Sequence, residues 1–315
     1  MRHLFIVNPT ASKVRKNVDG HVKQIRDFMD QTGFSYEVHV TRWARDAVGY
    51  VRRFVSAAEG MVRVHSYGGS GTLYEVVNGI IGLPNTEVAA YSLGRSNEFL
   101  QYFGREKLPL FRDLNYQVNS PAISVDAISD GVNYGIANCL TGIEAEAYIA
   151  GSRFGESIHL TADFWPLWFA ALKIFKQKRI GRHYEVTIDG ISYDGDYASI
   201  MVANTPCYQR KLNPAVDAHP TDGGLDIYLV KAMNRLPFLR AIPTYTAGHY
   251  RKMPECFTHH TCKRIRIQSD DTMLTTFDGE KLISQKLKCS LVPGAIQVVL
   301  PTGIRLEDIP EIYRG

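Results

Sequence analysis

The first hundred residues alternate short apolar runs with amphipathic ones. HLFIV (3–7), YEVHV (36–40), MVRVHSY (61–67) and EVAAYSL (87–93) are separated by helical patterns over 14–32, 45–58 and 72–81. Runs of this length read as strands, and the 3.6-residue repeats between them read as helices. Strict alternation leaves few folds open, because strands separated by a helix pair in parallel. The segment is therefore expected to form a Rossmann-like parallel sheet, with ligands at the carboxyl ends of its strands.

From about residue 123 the pattern changes. AISVDAI, NYGIANCL, HYEVTIDG, YASIMVAN, LDIYLV, KRIRIQS and AIQVVLP are short alternating runs, interrupted by helical patterns near 161–178 and 236–247. They resemble the strands of an antiparallel sandwich. A chain of 315 residues exceeds the size of one typical domain, so the division is drawn at residues 1–122 (α/β) and 123–302 (β-sandwich). The last stretch, GIRLEDIPEIYRG (303–315), is expected to pack back on the first domain.

No run of uncharged apolar residues is long enough to span a bilayer, and MRHLFIVNPTAS meets turn-forming residues too early for a secretory signal. A cytoplasmic protein is expected. The five cysteines (139, 207, 256, 262 and 289) are odd in number and scattered, which fits free thiols. A net charge of +4 gives no ground for a nucleic-acid partner. Basic residues do gather beside an apolar run in FWPLWFAALKIFKQKRIGRHY (164–184), as they would on a peripheral membrane contact or where a core helix runs into a basic turn.

The turn YGGSGTLYEVVNG (67–79) follows a strand and opens a helix. Small residues there let backbone N–H groups approach an anion at the positive helix end. The spacing matches neither a P-loop nor GxGxxG, so by itself the turn stays open between a phosphate cradle and an empty bend. Of the remaining constellations, CFTHHTC (256–262) reads as the approach to a strand in preference to a zinc site, and His65 as a core histidine. Phe164, Trp165, Trp168 and Phe169 fit an acyl-chain cleft and core packing equally well.

Taken in order, FIVNP (5–9), GGSGTLYEVVNG (68–79), SLGRSNEF (92–99), LTGIEAEA (140–147), NPAVDAHPTDGGLDI (213–227) and Asp278-Gly279-Glu280 resemble the catalytic domain of the diacylglycerol kinase and sphingosine kinase family, in its bacterial soluble form. The resemblance spans nearly the whole chain. It implies a kinase that transfers the γ-phosphate of ATP to a lipid hydroxyl at a peripheral membrane surface, with Mg²⁺, and it allows a homodimer. By position, it places nucleotide contacts on Asn8, Thr41, Gly68, Gly69, Ser70, Gly71, Thr72, Arg95 and Asn97. Glu280 becomes the proton acceptor, with Asp278 beside it. Asp222 and the carbonyls of His219 and Gly224 become a Mg²⁺ site.

Four departures stand out. Ser70 replaces the aspartate of GGDGT, Arg95 and Glu98 replace the threonine and aspartate of a GTxND-like segment, and Ser12 replaces a glycine. Serine can donate to a phosphate but brings no charge for a metal, whereas an arginine fork can neutralise phosphate directly. A lipid kinase with altered metal use is preferred, because Glu280 and the phosphate turn remain. The alternatives are a non-catalytic relative that binds nucleotide or phosphorylated lipid, and an NAD kinase-like enzyme.

Overall fold

In a computed structural model that describes residues 1–94, 97–158, 178–207 and 212–306, with backbone alone over 151–158, the chain forms two compact units. Unit 1 holds Met1–Asp126 and the returning segment from Pro293; unit 2 holds Ala127–Val292. The divisions drawn from sequence stood between 122 and 123, within β5 (Ala122–Ser129), and between 302 and 303, just past β16 (Glu280–Val299). The chain in fact changes unit inside both strands, past Asp126 in β5 and before Pro293 in β16.

Unit 1 is built on β1 (Arg2–Val7), which pairs in parallel with β2 (Ser35–Val40) on one side and β3 (Val62–Tyr67) on the other. β3 pairs in parallel with β4 (Thr86–Ala90), and Val298 of β16 adds a parallel contact opposite Val88. Leu4, Phe5, Ile6 and Val7 are all fully buried, so successive side chains on both faces of β1 are covered. This explains why the strand reads as an unbroken apolar run.

The covering helices follow from spacing and caps. α1 (Val18–Met29) starts where the Asn17 side chain accepts from Gly20 N–H at 3.0 Å, and it buries Ile25 and Met29. α2 (Asp46–Ser56) buries Ala47, Val51 and Val55, one turn apart. α3 (Ser70–Ile80) is buried along most of its length. α4 (Glu98–Gln101) and α5 (Leu114–Asn119) complete the unit. The buried Arg63 guanidinium pairs with Glu87 at 2.6 Å and donates to the carbonyls of Gln117 and Val118, which ties β3 and β4 to α5. His65 is a core residue, within hydrogen-bond distance of His3 (2.9 Å) and Tyr91 (3.2 Å), and burial holds its pKa well below the ordinary value.

Unit 2 contains β6 (Tyr134–Gly135), β7 (Asn138–Gly142), α6 (Ile143–Ile158), β8 (Arg179–Ile180), β9 (Arg182–Ile188), β10 (Ile191–Ser192), β11 (Gly195–Ala203), β12 (Leu225–Lys231), β13 (Met233–Asn234), α7 (Arg235–Thr246), β14 (Phe257–Cys262), β15 (Arg264–Phe277) and most of β16. Its pairings are antiparallel: β11 with β7, β9 and β12, β12 with β14, and β15 with β7, β9 and β16. β9 therefore joins two neighbours, β11 through 182–184 and β15 through 185–188, so the strand path returns on itself. An irregularity between Gln268 and Met273 lets β15 change partners along its length. α7 and β11 share a core that includes Met201, Tyr228, Phe238 and Tyr245.

Among the described residues no helix is long and apolar enough to cross a membrane. The aromatic run at 164–169 and Lys173 and Lys176 lie outside the described residues. Arg179 pairs with Asp196 at 2.8 Å, and Arg182 donates to Tyr184 and to the Thr272 carbonyl. Two cations of the basic segment are thus held by neighbouring protein groups.

Candidate nucleotide turn and carboxylate hairpin

Three segments of unit 1 converge after the carboxyl ends of β1, β3 and β4. Asn8 N–H donates to the Tyr67 carbonyl at 3.2 Å, and the Gly68 carbonyl accepts from Leu93 and Gly94 at 2.9 and 3.0 Å. Lys13 Nζ and Arg112 Nε both donate to the Ser92 carbonyl at 3.0 Å. Lys13 was missed in the sequence. A lone basic residue five positions after Asn8 looks like solvated surface until its partner loop is known.

The turn itself has the chemistry of an anion site. Gly69 is the N-cap of α3 with extended backbone, no side chain caps the helix, and its first turn carries no acidic residue. The positive end of an 11-residue helix is left without a counter-charge from its own sequence. Gly69, Ser70 and Gly71 are partly exposed, while Thr72 and Leu73 beyond them are buried. Gly68 cannot carry a side chain here, because a Cβ would run into Thr72. Thr72 Oγ1 accepts from Asn8 Nδ2 at 3.0 Å, which leaves the hydroxyl proton available to an acceptor. Asn8 Oδ1 in turn accepts from Thr10 N–H and Oγ1.

Thr41 continues β2 through its N–H, bonded to the Val7 carbonyl at 2.9 Å. The loop after it is fixed by two carboxylates. Asp46 accepts from Arg42 N–H and bonds His39 at 2.9 Å; burial raises its pKa, but those two partners outweigh it and hold the net value low. Glu75 of α3 accepts from the N–H groups of Arg45 and Ala47, and burial nonetheless pushes its pKa up. Asn97 caps α4 by accepting from Leu100 N–H at 3.2 Å. Its Nδ2 is buried and has no hydrogen-bond partner among the described residues. A buried donor left this way is costly unless a ligand accepts from it. Arg95 lies outside the described residues. Glu98, which follows Asn97, is 2 % exposed.

In unit 2, Asp278 and Gly279 form the two-residue turn between β15 and β16, and Phe277 pairs with Glu280 across it. Both turn residues have positive φ, 48° and 88°, as a tight hairpin of this hand requires. Asp278 is buried, and its carboxylate accepts from the N–H groups of Ile136 (2.7 Å), Ala137 (3.0 Å) and Asn138 (2.9 Å). Burial still raises its pKa to about 6 against those three donors. Glu280 is exposed. The pair expected side by side is thereby divided: Asp278 holds the hairpin to 136–138, and Glu280 is the member open to solvent. Tyr148 of α6 lies against Gly279, its hydroxyl 2.6 Å from where a Cβ would stand. Tyr148 had no signal in the sequence beyond following LTGIEAEA.

The expected Mg²⁺ loop is less well furnished. Asp222 Oδ1 accepts from Gly224 N–H at 2.9 Å, as in an Asx turn, and the Lys263 ammonium donates to the Gly223 carbonyl. Asp226, the other carboxylate flanking the GGL turn, is inside β12 and accepts from His259 at 2.6 Å. Among the described residues no three His, Cys, Asp or Glu side chains gather as a metal site. Of the oxygens the resemblance assigns to Mg²⁺, the His219 carbonyl accepts from Asp222 N–H at 3.5 Å and Asp222 Oδ1 from Gly224 N–H, so His219, Asp222 and Gly224 belong to one turn. CFTHHTC likewise holds no such cluster: its His259 serves Asp226, and Cys256 and Cys262 are buried free thiols.

Comparison with known proteins agrees along the chain. The diacylglycerol kinase catalytic domain matches residues 2–125, and the YegS C-terminal NAD kinase beta sandwich-like domain matches 141–300. A Bacillus subtilis (strain 168) protein named diacylglycerol kinase is 22% identical over 281 residues, covering 89% of each chain. A Shewanella frigidimarina protein named "Probable lipid kinase YegS-like" is 24% identical over 297 residues, covering 92% of this chain and 91% of its own. A solved diacylglycerol kinase structure from Bacillus anthracis str. Sterne shares the fold with a TM-score of 0.69 at 18% identity, over 96% of this chain and 98% of the other. With both domains matched and relatives aligned over 89–92% of this chain, the chain belongs to the diacylglycerol kinase and YegS-type lipid kinase family.

Proposed function

We propose that the protein is an ATP-dependent lipid kinase of the diacylglycerol kinase type. The observation that carries this is the N-terminus of α3, uncapped by any side chain and preceded by two glycines. Backbone N–H groups of the turn, the Thr72 hydroxyl and Asn97 Nδ2 are donors suited to the nucleotide, with Asn8, Thr41 and Gly68 shaping their positions. Ser70 adds a hydroxyl donor at the first helical position, and Arg95 supplies a phosphate-neutralising fork.

The exposed Glu280 carboxylate takes the proton of the lipid hydroxyl. The hydroxyl oxygen bonds to the γ-phosphorus, the bond from that phosphorus to the β–γ bridging oxygen breaks, and ADP leaves with the electron pair. Asp278 positions Glu280 by fixing the hairpin and touches no reactant. ATP enters as its Mg²⁺ complex, the cation carried by the phosphates as part of the substrate. The name borne by relatives favours diacylglycerol as the acceptor.

ADP release measured in mixed micelles tests this. Diacylglycerol should stimulate it well above lipid-free enzyme, and an unstimulated rate together with an ATP-induced rise in melting temperature would favour the second reading, a nucleotide-binding relative without transfer. Ser70 in place of a carboxylate is the observation behind that second reading.

A further inference from the structure

Unit 2 carries a groove of about 830 Å³ outside the residues assigned to phosphoryl transfer. Arg264 and Arg266 of β15, Lys288 of β16 and Lys263 line it. The register sets Arg264 opposite Ser290, Arg266 opposite Lys288 and Gln268 opposite Lys286, and residues directly opposed share a face of the sheet. The alternate residues Ile265, Ile267, Leu287 and Cys289 are buried, so the cations all point outward.

Two like charges directly opposed, Arg266 and Lys288, weaken the strand pair. Folding alone gives no reason to keep them. Nor are they neutralised locally: among the described residues Arg264, Arg266, Lys286 and Lys288 have no carboxylate partner, and Arg266 donates only to Gln268 at 3.1 Å. The two acids at the groove are bound to backbone. Asp189 accepts from the N–H groups of Lys263 and Arg264, and Asp130 from those of Val132 and Asn133. Glu185 stands further along the same face, opposite Gln268.

Two loops that border the groove each carry an exposed aliphatic side chain. Val132 follows the lining residue Gly131 and is 80 % exposed; Ile191 follows the lining residue Gly190 and is 61 % exposed. Single exposed aliphatics need no explanation. A pair at two turn tips beside a face where four cations outnumber the two lining carboxylates does, because a soluble phosphate would be served by the cations alone.

We propose that this face docks on an anionic phospholipid bilayer. The cations meet headgroup phosphates, while Val132 and Ile191 enter the boundary between headgroups and acyl chains. Binding here is independent of phosphoryl transfer.

The test is sedimentation of the full-length protein with vesicles, without nucleotide. Wild type should bind phosphatidylglycerol–phosphatidylcholine vesicles, should not bind pure phosphatidylcholine, and should be released by salt. Each neutralised cation near such a surface weakens binding about fivefold, so Arg264→Gln with Arg266→Gln and Lys288→Gln should lower partitioning about 100-fold. Val132→Asp with Ile191→Asp should lower it about tenfold or more. Should the triple variant melt far below wild type, Lys288→Gln alone must still show its fivefold loss.

Undiminished vesicle binding by these variants overturns the proposal. So does complete displacement by millimolar inorganic phosphate, which would mark a soluble-anion site, or self-association of wild type that the variants lose while vesicle binding stays intact, which would mark an interface between copies. Transfer to a short-chain diacylglycerol in solution, measured on the same variants, should be retained. Its absence in wild type as well would count against the kinase reading and leave docking standing.

Discussion

Asp278 and Glu280 are separated by one glycine and differ in surroundings more than in chemistry. Asp278 is enclosed with three amide donors, whereas Glu280 meets solvent. Asn tolerates the left-handed backbone of position 278 but offers a single acceptor oxygen, which leaves a buried N–H facing an amide donor. Asp278→Asn should therefore cost about 1–3 kcal/mol in urea unfolding. A second buried acid has a pH signature. Burial raises the Glu144 pKa to about 7, against hydrogen bonds from Ser199 (2.5 Å) and Tyr245 (3.4 Å). A carboxyl whose folded pKa exceeds its unfolded value favours folding most when protonated. Its contribution is fullest below pH about 4.5 and is lost as pH rises to about 7. Glu144→Gln should flatten that slope and stabilise the protein at pH 8 by about 2 kcal/mol, read from denaturation midpoints at several pH values. DGE was legible because its spelling is short and ordered among other motifs. Glu144 was not, since LTGIEAEA shows no sign of which glutamate turns inward.

Strands and helices of unit 1 were legible because each carries its own period and its own punctuation. α3 is the clearest case: glycines before it, apolar residues within it, and no capping side chain at its start. Two substitutions test that element. Gly68→Ala would place a methyl group against Thr72 and push apart the turn and the helix, so the ATP-induced rise in melting temperature should fall by at least half. Ser70→Asp would put a carboxylate at the positive helix end. The ligand-free protein should gain roughly 0.5–1 kcal/mol, and nucleotide binding in EDTA should weaken. Unit 2 was less legible at this scale. Short alternating runs announce strands but not partners, and nothing in HYEVTIDG says that β9 joins both β11 and β15. DGGLD looks like a carboxylate-rich turn until β12 and β14 align and His259 takes Asp226.

At the level of the whole chain, the residues proposed for the reaction come from both units. The phosphate turn belongs to unit 1 and Glu280 to unit 2, so each unit alone should be inactive. Family membership was readable from six short motifs in order, because order constrains a chain far more than any one of them. Whether Ser70 permits transfer was not readable, since substitution of one charge alters chemistry without disturbing the fold. Incubation with ATP labelled in its γ-phosphate and diacylglycerol in mixed micelles, followed by separation of lipid from nucleotide, decides that point. Wild type should place label on the lipid, and Glu280→Ala should lower the rate about 100-fold or more. Label confined to nucleotide and free phosphate, or lipid labelling equal in the two proteins, would contradict transfer through Glu280.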